Sequence, residues 1–284
     1  MSEYADLEAR NPRLFVRGGC AGVLCSGKIL GNSKQACPRA SLLRSYGVQE
    51  PIDGRAKRTF AIGRAIETCF CEERPELQGN VRQDEMPVLG DGPFPGSKVF
   101  LAIEVDAVET TRDTAGNEVQ RFYELKTVQS TKKAKKYITK GEYSFDNAVQ
   151  LAYAMVNFGA SHGILRYMAC FYDEFTSNKE KVNITPESYR EYIVENRHDR
   201  IFVDGQPTVI TYDGVCGHVE YSAWVLGTLD LKIKDILKPS SPDPESKEEH
   251  VACQWCYFNR LCAVAEQEEW TQAKFIREGV SYAQ

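Results

Sequence analysis

Apolar residues recur at three- and four-residue spacing in ASLLRSYG (40–47) and RTFAIGRAIETCFCEE (58–73), a pattern that predicts two helices. VFLAIEVDAVETT (99–111) is rich in β-branched and apolar residues and predicts a strand. Turn residues follow in DTAGN (113–117), and EVQRFYELKTV (118–128) then predicts the returning strand of a hairpin. SFDNAVQLAYAMVNFG (144–159) has a Ser or Asp start signal, a helical apolar stripe and a Gly stop. HGILRYMACFYDE (162–174) predicts a further strand, and SAWVLGTLDLKIKDILK (222–238) a closing helix. KPSSPDPESKEEH (238–250) reads as an exposed linker, after which VACQWCYFNRLCAVAEQ returns to apolar, Cys-rich composition. The order helix, strands, helix, strand, helix predicts a mixed α/β domain.

Composition narrows this picture. The 284 residues are 42% hydrophobic and 26% charged, near the averages for a soluble globular protein, so disorder over most of the chain is not expected. No apolar run approaches the roughly 20 residues that span a bilayer, and MSEYADLEARNPR lacks the apolar segment of a secretory signal. The expectation is a cytoplasmic protein with no membrane partner. A net charge of -5 excludes a basic coat over the whole surface but not a local basic groove. With four His residues, chemistry built on a His cluster is a poor expectation. In a reducing compartment the ten cysteines would be metal ligands or small core residues rather than disulfides.

Candidate chemistry lies in the hairpin. Glu124 and Lys126 share one face of the second strand by period-two alternation, with Leu125 pointing the other way. The turn near 115 brings Asp106 alongside that face. Glu104, two residues earlier, competes with Asp106, but an Asp inside an apolar strand is disfavoured and calls for a reason. Paired carboxylates repel unless a cation lies between them, and oxygen-only ligation favours Mg²⁺ or Mn²⁺ over zinc. Glu67, in GRAIE, would supply a third carboxylate, or else a surface salt bridge. Gln150 and Tyr153 are three apart on one helical face that Asn157 extends. They suit hydrogen bonding to a phosphate or to the lysine, or simply form the polar edge of an amphipathic helix.

A second constellation is Cys253-x2-Cys256-x5-Cys262, a compact three-thiolate set that points to metal. Cys37, followed by Pro38 and a helix, is the favoured fourth ligand, with Cys20 and Cys25 as rivals. Such a set would close residue 37 onto a segment more than 200 residues later, a long-loop staple. Spacing alone leaves zinc, for which His250 is an alternative ligand, and a [4Fe-4S] cluster equally open. Cys69, Cys71, Cys170 and Cys216 read as buried thiols.

Taken in order, CPRASLLRSYGV, GRAIE, EVDAV, ELK, QLAY and the terminal Cys set resemble the iron-sulfur nucleases of the PD-(D/E)XK superfamily. Within it the chain is most similar to the CRISPR-associated Cas-four family and its phage-encoded relatives among the RecB-type exonucleases. The resemblance covers about residues 36–265. It implies a RecB-like, restriction-endonuclease-type core, a mixed sheet flanked by helices, at residues 36–266. An N-terminal extension (1–35) and a C-terminal tail (267–284) would flank that core. By the same resemblance Asp106, Glu124 and the Leu125 carbonyl would be metal ligands and Lys126 the catalytic lysine. Gln150 and Tyr153 would form the motif that follows. Cys37, Cys253, Cys256 and Cys262 would hold a [4Fe-4S] cluster joining the N- and C-terminal segments, which favours iron-sulfur over zinc. The implied activity is metal-dependent DNA cleavage, typically exonucleolytic on single strands or ends. Relatives often carry His where this chain has Glu67, and Glu serves as a ligand there elsewhere in the superfamily.

Directly after ELK, five lysines (132, 133, 135, 136 and 140) fall within nine residues, near Tyr137 and Tyr143. Arg55, Lys57, Arg58 and Arg64 lead into the Glu67 helix. Beside a metal site both clusters suit a groove that tracks phosphates, with Arg64, Lys132, Lys133, Lys135 and Lys136 as the DNA contacts; a solubilising charged loop is the plainer reading of any one of them. GVLCSGKI (22–29) nearly matches a phosphate-binding loop, but Ile29 stands where a hydroxyl is needed, so nucleotide hydrolysis is not expected. The expectation is a Mg²⁺- or Mn²⁺-dependent DNase, in the host cytoplasm where phage-encoded. The rival is a non-catalytic DNA-binding subunit of a recombination or CRISPR adaptation complex. Partner proteins from those systems, or a homo-oligomer, are compatible with either.

Overall fold

The structure is a computed structural model and describes residues 3–17, 22–30, 37–82, 86–177, 179–240, 253 and 256–282. The chain divides into two interleaved units. Unit 1 takes residues 1–51, 83–103 and 213–284; unit 2 takes 52–82 and 104–212. The segments expected as an extension (1–35) and a tail (267–284) belong to unit 1. The tail forms the helix Gln272–Tyr282, which buries Phe275 and Ile276 completely.

Unit 2 is a mixed α/β layer structure built on a seven-stranded sheet. Its order is Gln206–Thr211, Arg200–Val203, Tyr189–Arg197, His162–Ala169, Glu118–Val128, Glu104–Arg112, Leu77–Arg82. Neighbours run antiparallel except for Glu118–Val128 and His162–Ala169, which pair in parallel from Arg121↔His162 to Val128↔Ala169. A parallel pair needs a crossover, and the helix Phe145–Phe158 lies within it. That helix ends at left-handed Gly159 (φ 74°) and buries every residue from Leu151 to Val156. It lies close on the next strand because Gly163 has no side chain: a Cβ there would come within 2.7 Å of Met155 Sδ. The helix Gly54–Glu72 starts at Asp53, whose carboxylate accepts from Ala56 N (2.6 Å). Its Ile66 and Phe70 pack with Tyr123, Leu125, Ala107 and Met168.

Unit 1 holds two three-stranded sheets, one of Phe15–Arg17, Lys98–Ala102 and Val88–Asp91, the other of Pro239–Ser240, Lys28–Leu30 and Val23–Cys25. Its helices include Pro38–Ser45, Asn259–Gln267 and Gln272–Tyr282.

Several expected elements are corrected. The strand expected over 99–111 is two strands, Lys98–Ala102 in unit 1 and Glu104–Arg112 in unit 2. Both sheets bury the same parity of residues (Val99, Leu101, Val105, Ala107), so the alternation runs unbroken across the boundary. The strand expected over 162–174 ends at Ala169, and Asp173–Ser177 opens a separate hairpin with Glu180–Ile184. The helix expected over 222–238 is Tyr212–Gly227. Beyond it, Leu229, Ile233 and Ile236 mimic a helical stripe, yet the backbone there bonds to residues 270–272 through Ile233 N→Trp270 O and Gln272 N→Leu231 O. Pro239 and Ser240, expected as linker, pair with Ile29 and Leu30; 241–250 lie outside the described residues. Cys69 is exposed, and Cys71, Cys170 and Cys216 are only half-buried.

Candidate functional site

The hairpin ladder of unit 2 stops short of its chemistry. Glu104–Arg112 pairs with Glu118–Val128 only from Arg112↔Glu118 to Ala107↔Tyr123. Beyond that point the first strand peels away while remaining paired to Leu77–Arg82 through Val105 and Glu104. The amide of Leu125 loses its ladder partner on that side and donates instead to Asp106 Oδ2 at 2.7 Å. Asp106 thereby reaches the strand that carries Glu124 and Lys126. Glu104, its rival, is exposed and pairs with Arg82 (2.9 Å).

Leu125 faces the Ile66–Phe70 side of the helix Gly54–Glu72, so Glu124 and Lys126 take the opposite face. On that face Phe122 meets Phe158 of the helix Phe145–Phe158 edge-on at 5.2 Å. Glu124 is 1% exposed and ion-paired with the half-sheltered Lys126. Burial pushes the Glu124 carboxyl up to about 8, with Asp106 and Glu67 adding to the rise and Lys126 opposing it. Asp106 is raised by burial against the pull of Lys126 and the Leu125 amide. Burial also raises Glu67, and Asp106 raises it further. Burial pulls the Lys126 ammonium down, but Glu124, Asp106 and Glu67 outweigh it and hold it above the ordinary lysine value. Three acids and one ammonium thus form a single electrostatic cluster.

The two helix residues fare differently. Gln150 is half exposed on Phe145–Phe158. Tyr153 is fully buried in that helix's core face, where it has no surface to offer a bound strand, and its main-chain carbonyl accepts from Asn157 Nδ2 (2.8 Å). Any part Tyr153 plays therefore runs through its neighbours.

The cysteine constellation lies wholly in unit 1. Cys37 is buried and stands immediately before the helix Pro38–Ser45, with Pro38 at the first turn. Burial pushes Cys262 up to about 12, and Cys37, Cys256 and Cys253 act on it. Burial raises Cys253, with Cys37 adding; it raises Cys256 too, with Cys37 and Cys253 adding. All four thiols therefore lie within electrostatic reach of one another. Arg39, 2% exposed, pulls against the rise at Cys253 and Cys262; it is tied to Glu266 and to the Ile236 carbonyl (2.6 Å). Cys25 lies on the strand Val23–Cys25, while Cys20 and His250 lie outside the described residues.

Among the described residues, no group of three or more His, Cys, Asp or Glu side chains is set to hold a metal ion where the side chains stand. Asp106 is engaged by the Leu125 amide and Glu124 by Lys126. In donor chemistry the oxygen set suits a hard divalent cation, and the four thiols suit zinc or iron-sulfur.

The lysine segment leaves the sheet directly after Val128 as a helical turn, Thr131–Ala134, followed by a wider turn, Lys135–Thr139. Lys132, Lys133 and Lys140 are exposed and have no ion pair among the described residues. Lys135 instead lies over the Phe175 ring (4.6 Å), and Lys136 is 5.5 Å from the Tyr137 ring and 3.9 Å from Glu142. Tyr137 stacks on Tyr167 at 4.6 Å. Arg64 is exposed and pulls Glu67 downward. Among the described residues no helix is long and apolar enough to cross a membrane.

No protein-family model matches the chain, and no curated protein does either. Among solved structures, SSO0001 is 15% identical, with 91% of this chain and 92% of that one covered and a TM-score of 0.44. An alkaline exonuclease (LHK-Exo) from Laribacter hongkongensis is 11% identical, covering 78% and 88%, at a TM-score of 0.41. LHK-Exo in complex with dAMP gives 13%, 78% and 89%, and 0.38. Scores this low leave the reading of the chain to its own residues.

Proposed function

We propose that this chain is a divalent-cation-dependent DNA nuclease, hydrolysing phosphodiester bonds exonucleolytically on single strands or DNA ends, with a structural [4Fe-4S] cluster. One observation carries the reading: Glu124, sealed from solvent, shares a cluster with Asp106, Glu67 and Lys126 in which every acid is held above its ordinary range. Burying acids against one another costs stability, and a bound cation would offset that cost.

Asp106, Glu124 and Glu67, with the Leu125 carbonyl, would hold Mg²⁺ or Mn²⁺. When bound, such a cation polarises a phosphoryl oxygen and lowers the pKa of a water. Lys126 would place its charge beside the phosphate as negative charge builds in the transition state. The buried surroundings of Glu124 keep bulk water from screening that interaction. Gln150, half exposed on the helix Phe145–Phe158, would hydrogen-bond the phosphate or Lys126, and Tyr153 would brace that helix. Cys37, Cys253, Cys256 and Cys262 would hold the cluster. Arg64, Lys132, Lys133 and Lys136 would track the backbone, while Lys135 is partly committed to Phe175.

The test uses anaerobically prepared, iron-loaded protein and end-labelled single-stranded DNA, with Mn²⁺ or with a chelator. Wild type should degrade the strand only with the metal. Lys126→Ala should lose roughly 100-fold or more in rate while binding DNA nearly as before. Wild-type protein that binds the strand and never cuts it would install the rival reading, a non-catalytic DNA-binding subunit.

A further inference from the structure

We propose that Tyr172 is a base-stacking platform that positions an unpaired nucleotide beside the carboxylate cluster; this rests on the nuclease reading above. Tyr172 is 79% exposed, the most exposed large side chain of hydrophobic or aromatic type among the described residues. Its place in the fold gives that exposure a meaning. The parallel strands Glu118–Val128 and His162–Ala169 end together at Val128↔Ala169, where Cys170 N donates to the Val128 carbonyl (3.2 Å). From this shared edge one chain turns into the helical segment bearing Lys132 and Lys133, and the other reaches Tyr172 three residues on. Within the same ladder Glu124 and Lys126 pair with Leu165 and Tyr167. Tyr172 is thus within about 18 Å of chain from the residue beside Lys126.

The two exits are fastened to each other. Thr131 Oγ1 donates to Asp173, the residue after Tyr172, and Lys135 lies over Phe175, two residues further on. Tyr172 is therefore tied to the lysine turn through its neighbour Asp173, with its own ring in solvent and the exposed Lys132 and Lys133 directly following Thr131. An exposed ring fastened to a turn that carries exposed lysines is the combination that binds single-stranded nucleic acid. The cations track phosphates, and the ring takes a base face that a duplex would keep stacked on its neighbours. The same arrangement discriminates against flush duplex ends.

The experiment measures anisotropy of a fluorescein-labelled thymidine oligonucleotide in EDTA, beside an abasic oligomer of equal length. Tyr172→Ala and Tyr172→Leu should each weaken binding to the thymidine strand about 10-fold. Tyr172→Phe should stay within about two-fold of wild type, and none of the three should alter binding to the abasic strand. Circular dichroism confirms folding of each variant. Binding of Tyr172→Ala equal to wild type overturns the stacking role and leaves the nuclease reading untouched. Equal losses on the thymidine and abasic strands overturn it as well, since a ring that merely shapes the lysine turn would give that result. Should wild type bind neither strand in EDTA and cut neither when Mn²⁺ replaces the EDTA, the nuclease reading and this inference fail together.

Discussion

Asp106 has two separable jobs, and a pair of substitutions divides them. It accepts the Leu125 amide at 2.7 Å, and it contributes charge to the acid cluster. Leu125 is 1% exposed and its ladder partner has peeled away, so neither water nor main chain can replace the lost acceptor. In Asp106→Ala a charge-assisted bond vanishes and a buried N–H is stranded, a cost of about 2–3 kcal/mol. Relief of repulsion on Glu67 and Glu124 returns part of this, leaving a net loss of about 1–2 kcal/mol. Asp106→Asn keeps an acceptor oxygen and gains the same relief, so it should lie within about 1 kcal/mol of wild type. Native-state hydrogen exchange over Glu118–Val128 reads that local stability directly. Cleavage of single-stranded DNA should fall roughly 100-fold or more in both variants, because neither supplies the anionic ligand. The reasoning fails if Asn destabilises the strand as much as Ala, or if either variant keeps a tenth of wild-type cleavage.

Two other outcomes are expected. Cys37→Ser should lose bound iron and its visible absorbance, whereas Cys25→Ser should keep both; elemental analysis of anaerobic preparations decides between them, and the reverse pattern would reassign the fourth ligand. Lys132→Ala combined with Lys133→Ala should weaken single-strand binding and lower the slope of log K against log salt by about 1.4, at about 0.7 per phosphate contact. An unchanged slope would remove these lysines from the interface.

Much of unit 2 was legible because its signals are local. Asp113, at the hairpin tip, accepts from Ala115 N (2.9 Å) and Asn117 N (2.8 Å), and the turn residues announced it. The helix stop at Gly159 was equally plain. Asp204-Gly205, both at positive φ, is a strong hairpin signal between Arg200–Val203 and Gln206–Thr211, two strands absent from the expected elements. The interleaving of units could not be read at all. Ile103 and Glu104 sit in one continuous apolar alternation, and nothing local records that the chain changes sheets there. For the site, alternation placed Glu124 and Lys126 together, and an acid in an apolar strand pointed to Asp106. Alternation fixes a side chain's face but not its depth: Glu124 is sealed because a helix covers each face of the sheet at that point. Tyr153 illustrates the limit of helical spacing, which pairs it with Gln150 on a face but gives no depth.

The arrangement of the central strand explains why this chemistry sits where it does. Glu118–Val128 is paired along its whole second half with His162–Ala169, so Glu124 and Lys126 are fixed by a continuous ladder. Its other edge is released after Tyr123, so a side chain from the departing strand can approach main-chain atoms that a ladder would otherwise occupy. A fully paired strand would hold the acids rigidly but shut Asp106 out. A strand free on both edges would admit Asp106 but lose the register that sets Glu124 beside Lys126. One anchored edge and one open edge satisfy both demands, and the apolar layers above and below seal Glu124 from solvent. Burial raises the acids and amplifies every charge that enters among them. The same burial that makes the cluster costly to the fold would, on the nuclease reading, strengthen its hold on a phosphodiester transition state.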